Sequence, residues 1–138
     1  MNTNSSYHSH GLLLLRIIGG SMMVYNHGWG KITAGPEKWD RLGHALTDII
    51  GFEFLSIFFG FMAAFSESVC ALLIVIGLFT LPATILLLFT MFIASINHVI
   101  DGEMPELAIM YFAVTLALIL IGPGKFSLDH KYFSTFRD

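Results

Sequence analysis

Four apolar runs, each long enough to cross a lipid bilayer, restrict this chain more than any other feature. A crossing helix takes about 20 mostly apolar residues, and the runs lie at about 12–29, 54–79, 83–99 and 107–121. Of the 138 residues, 55% are hydrophobic and 12% charged, where a soluble domain carries about a quarter charged. Thirteen Phe and seven Met exceed what one small aqueous core buries, so the surplus apolar surface needs lipid around it. The expected fold class is all-α: an integral membrane four-helix bundle forming one domain over 1–138. Leu78 to Pro82 reads as a tight hairpin, which makes the second and third spans antiparallel neighbours.

Between the first two spans, residues of about 36–50 are too charged to cross yet remain periodic. Trp39, Leu42, Leu46 and Ile49 recur at helical spacing opposite Lys38, Asp40, Arg41, Thr47 and Asp48. Pro36 suits a first helical position and Gly51 a C-terminal cap, so this is an amphipathic surface helix. Net charge of -3, scattered along the chain, excludes a nucleic-acid partner. Cys70 is the single cysteine, which excludes an intramolecular disulfide or a C-x-x-C dithiol and makes it a packing residue. The N-terminal MNTNSSYHSHG carries no cation before the first apolar run and is expected to be a retained tail.

Four spans put both termini on one side. That side collects Arg16, Lys125, Lys131 and Arg137 against Lys31, Lys38 and Arg41 on the other, a cation bias that places both termini in the cytoplasm.

An ionisable group at the bilayer centre costs at least ~2.5 to 3.5 kcal/mol, so each needs a partner or a route to water. Arg16, Gly20, Met23 and His27 share one stripe of the first helix, and Gly60, Ala64, Glu67 and Ala71 form a small-residue stripe on the second, which turns Glu67 inward. Counted at 1.5 Å per residue, Glu67 lies about 18 Å and His27 about 22 Å from the cytoplasmic side. Asn97 and His98 on the third span reach a similar level, and Tyr111 and Thr115 on the fourth face the same space. The expected site gathers His27, Glu67, Asn97, His98 and Tyr111, with His27 and Glu67 as the proton-exchanging pair. At the cytoplasmic border Arg16 and Asp129 are expected to form a structural ion pair, with Ser127 capping the turn that follows. The bland readings are a snorkelling Arg16, interfacial histidines, and a protonated Glu67 that only locks helix register.

No H-x-x-x-H or E-x-x-H pair lies within a span, so no metal site is expected. Two histidines on the first and third spans make a poor haem signature, and no phosphate loop or nucleophile elbow is present.

Several landmarks in order carry a family resemblance: Arg16 near the start of the first span, HGWGK (27–31) at its end, SESVCALLIVIGLF (66–79) in the second, and GPGKFSLDH (122–130) after the fourth. From about Leu12 to Asp129 the chain resembles the DoxX family of small four-span membrane proteins. The resemblance implies a four-helix bundle of the prokaryotic inner membrane linked to respiratory, quinone, sulfur or oxidative-stress redox systems. Its marked positions fall on Arg16, His27, Gly28, Lys31, Glu67, Gly77, Gly122, Gly124, Ser127 and Asp129. Many members have a Gly-Gly pair after the Glu where this chain reads Ser68 and Val69.

The leading expectation is a membrane subunit of a redox or oxidative-stress system offering a quinone-type pocket between helices, with Lys31 and Asp101 at its outer mouth. A quinone ring needs hydrogen-bond and proton donors while its tail needs apolar helices. Electron transfer then requires a protein partner, or a homo-oligomer completes the unit, beside the lipid bilayer itself. The alternatives are a non-catalytic assembly or anchoring protein and a small-molecule permease.

Overall fold

The structure is a computed structural model that describes residues 3–133; Arg137 and Asp138, used in the charge comparison, lie outside the described residues. The chain runs α1 (Thr3–Met23), a π-helical turn (Val24–Gly28), α2 (Trp29–Ile32), α3 (Pro36–Ile50), a 3-10 turn (Glu53–Leu55), α4 (Ser56–Phe65), a second π-helical turn (Ser66–Cys70), α5 (Ala71–Ile76), α6 (Thr80–Ile100), α7 (Glu106–Ile121) and α8 (Leu128–Phe133). No strand occurs among the described residues. The stretches Glu53–Ile76 and Thr80–Ile100 are long and apolar enough to cross a membrane, and Glu106–Ile121 is a shorter apolar helix.

The run expected at 12–29 belongs to a helical stretch that continues through α1, the π turn and α2. Pro82, expected to separate the second and third spans, instead lies in the first turn of α6, where its missing N–H has no intrahelical partner to lose. The reversal is made by Gly77 to Phe79, with Gly77 at φ 73° and Phe79 at φ 48°.

Helix α3 starts on Pro36 and ends at Gly51, whose N–H reaches Thr47 O at 2.7 Å. Its apolar side packs along α4 with almost no gap between backbones. A Cβ at Gly43 would stand 1.7 Å from Ser56 O, and one at Gly60 1.6 Å from Trp39 O. As the contact moves from 39 to 43 on one helix it moves from 60 to 56 on the other, so α3 and α4 run antiparallel, and any side chain at either glycine would force them apart. Ser56 Oγ donates to Asp40, and Trp39 Nε1 donates to Lys31 O at 2.9 Å. The amphipathic helix is therefore seated against the bundle. The core behind it is formed by Met23, Ala71, Ile74, Leu87, Met91 and Leu118, with Ala83 and Cys70 filling the small spaces.

Candidate functional site

The two π turns face each other. A Cβ on Gly28 would stand 2.2 Å from Glu67 O, so the first turn lies with its backbone on the second. A π turn adds one residue to a helix, which rotates everything after it by about 100°. Arg16, Gly20 and Met23 keep the inward face expected of a straight helix. Beyond the turn Gly28 takes the place that His27 would hold, and Lys31, three residues on, follows it to the same side. Glu67 is 3% exposed and both of its carboxylate oxygens accept from Lys31 Nζ, at 2.7 and 2.6 Å. The buried carboxylate thus has its partner on the first helix, but the partner is Lys31 and not the expected His27.

Beside this pair lies a cavity of about 230 Å³ between α3, α4 and α6. Leu42 and Leu46 line it from α3, Phe58, Phe59, Met62 and Ala63 from α4, and Phe89, Thr90, Ile93 and Ala94 from α6, with Lys31 and Glu67 also in its wall. Its polar side chains are Lys31, Glu67 and Thr90. Thr90 Oγ1 meets Ser66 Oγ at 2.7 Å, which joins α6 to the second π turn. Two of the three Lys31 ammonium hydrogens are taken by Glu67, which leaves one for an acceptor.

Of the five residues expected to gather, only Glu67 lines this cavity. His27 packs edge-on against Tyr111, ring centroids 6.5 Å apart, and Tyr111 faces the groove between α1 and α7. Asn97 turns away to donate to Ala45 O on α3 and Ile93 O on its own helix, so it ties α6 to α3. His98 is exposed and pairs with Glu103 at 2.8 Å, beyond the end of α6. Neither Asn97 nor His98 lines the cavity, whose wall on α6 ends at Ala94. Lys31, assigned above to the outer mouth, is the residue that sequence reasoning misplaced; its spacing of four from His27 was the available signal.

The second cluster closes the other end of the bundle. Arg16 is 1% exposed, and its guanidinium donates to Ile74 O at 2.9 Å, Val75 O at 3.2 Å, Pro123 O at 2.5 Å and Phe126 O at 3.3 Å. The first two are carbonyls of the last turn of α5, the negative end of that helix, and the other two belong to the loop between α7 and α8. Asp129 accepts from the Phe79 and Thr80 N–H groups, both at 2.7 Å, and so caps the positive end of α6. The expected Arg16–Asp129 ion pair is not made by direct contact. Each charge satisfies a helix terminus instead, because orphan backbone groups lie nearer than the opposite charge, although Asp129 still acts on Arg16 through its field. Gly77 lies between them: a Cβ there would stand 2.5 Å from an Arg16 nitrogen and 2.6 Å from Ser127 Cβ. Ser127 Oγ accepts from His130 N–H at 3.0 Å and caps α8.

The fold and these two clusters define a helical membrane protein with a buried ion pair beside an apolar cavity. The chain belongs to the DoxX family, which matches residues 11–99. No curated protein and no solved structure matches it. Membership makes it a membrane protein in contact with lipid, in a family often associated with redox or stress systems. Of the positions marked by the resemblance, Lys31 and Glu67 line the cavity with Gly28 packed on Glu67, Arg16, Gly77, Ser127 and Asp129 lie at the bundle end, and His27 belongs to neither cluster.

Proposed function

We propose that this protein is an inner-membrane subunit of a redox or oxidative-stress system whose cavity accepts the ring of a quinone-type molecule. One observation carries the reading: a wall apolar but for Thr90 ends on the Lys31–Glu67 pair. Lys31 donates its remaining N–H to a ring carbonyl oxygen, and Glu67 fixes the ammonium in place. Reduction of such a ring takes two electrons and two protons; the electrons come from a partner redox protein, one proton passes from the aqueous phase through the Lys31–Glu67 pair to the oxygen it binds, and the second passes from the aqueous phase to the other ring oxygen. The pair as a whole is neutral, which favours a neutral carbonyl over a carboxylate such as a fatty acid carries.

Titration of the detergent-solubilised protein with decylubiquinone, read by tryptophan fluorescence, tests the reading. Wild type is expected to saturate, Ala63→Leu to bind weakly because it fills the cavity, and Glu67→Gln to bind weakly because it loosens Lys31. A flat titration of wild type refutes it. The second reading is a non-catalytic assembly protein, favoured by the fact that both Glu67 oxygens already have a partner. In that case Glu67→Gln matches wild type in its effect on redox stress while Glu67→Leu fails to accumulate.

The orientation proposed puts both termini in the cytoplasm, on the four-to-three cation count. Reporter fusions after Asp138 and within residues 35–48 are expected to report cytoplasm and exterior, and the reverse pattern refutes the assignment.

A further inference from the structure

The cavity has three sides, and they are closed by different means. At one end the cavity is closed where Ser66, just past α4, meets Thr90 in the middle of α6. Helix α3 forms one wall and cannot slide, because Gly43 and Gly60 bring its backbone onto α4 and Asn97 ties Ala45 O to α6. The remaining side, along the seam between α4 and α6, is bordered by Phe58 and Phe89. Both line the cavity and are nevertheless 55% and 49% exposed, as rim residues of an opening are. An apolar rim on a membrane helix faces hydrocarbon, whereas the polar groups Lys31, Glu67 and Thr90 gather at the closed inner end.

We infer that the cavity fills sideways from the bilayer through the seam between Phe58 and Phe89, so that its ligand is a lipid-phase molecule with an oxygen-bearing head and an apolar tail. The identity of the head rests on the quinone reading above; the route does not. Size agrees with the route, since 230 Å³ falls below the ~300 Å³ at which pockets begin to enclose a whole drug-sized molecule. The head enters and the tail remains in the seam. A water-borne polar ligand would shed its hydration on passing the phenylalanines, a cost that a lipid-phase ligand does not meet.

Thiol labelling in lipid vesicles tests the route without any ligand. In a Cys70→Ala background, Ala94→Cys places a thiol in the cavity wall, and Ala63→Cys serves if the first variant does not accumulate. A lipid-soluble N-alkyl maleimide is expected to react at least an order of magnitude faster than a sulfonated, membrane-impermeant one, and adding Phe89→Ala is expected to speed the lipid-soluble reagent alone. Equal rates for the two reagents, or no response to Phe89→Ala, overturn the inference. Decylubiquinone, whose ring is fully substituted and does not add thiols, is then included. If it gives no protection while the lipid-soluble preference persists, the quinone reading fails and sideways loading stands. If it protects while both reagents react equally, the cavity opens to water and this inference fails.

Discussion

Removing Lys31 should cost far more than removing Glu67, and the asymmetry follows from burial. Glu67 is 3% exposed while the Lys31 side chain keeps 24%. Lys31→Met leaves a buried carboxylate whose two oxygens have both lost their donor, a situation that costs about 3–5 kcal/mol. Glu67→Gln keeps one acceptor oxygen facing Lys31 and leaves an ammonium that can reach toward a polar phase along its flexible stem, so its cost is about 1–2 kcal/mol. The double variant removes the stranded charge, and the coupling between the sites is expected to be about 1–3 kcal/mol. Each stability is read from reversible unfolding in mixed micelles by circular dichroism. A Lys31→Met cost below about 1 kcal/mol, or costs that simply add, would refute the view that this pair holds α2 on the second π turn.

Gly77→Ala is expected to destabilise by about 2–4 kcal/mol, combining a left-handed backbone at φ 73° with a methyl pressed on Arg16 and Ser127; an unchanged thermal midpoint would contradict the packed turn. On the exposed face of α3, the hydrogen bond to Asp48 holds His44 protonated above its ordinary 6.5, aided by the charges of Asp48, Asp40 and Glu53 and opposed by slight burial. A raised histidine value means that this contribution is complete below pH 6.5 and fades as pH rises through the folded-state value. Proton NMR of the His44 ring should therefore show a midpoint above 6.5 that falls in Asp48→Asn, and identical titrations would remove the contact.

Much of the local structure was legible because short-range rules dictate it. Pro36 and Gly51 bound α3 as read, since a ring-fixed φ starts a helix and a left-handed glycine stops one. The stripe Gly60, Ala64, Glu67 and Ala71 is buried along its length, because a carboxylate among small residues is far more costly in lipid than against a neighbouring helix. The all-helical membrane character follows from apolar runs that leave no water to satisfy the backbone. Tertiary structure decided which groups meet. Counting at 3.6 residues per turn assigned His27 to Glu67, and the π turn at Val24–Gly28, invisible in residue types, put Gly28 in that place and left Lys31 as the partner. Arg16 and Asp129 carry opposite charges at one end of the bundle, yet each binds the orphan backbone groups of a helix terminus, and where those termini lie depends on how α5, α6 and α7 end against one another. Periodicity fixes the direction of a side chain relative to its own helix, but helix rotation and offset are set by contacts between helices, here Gly28 on Glu67 and Gly43 on Ser56.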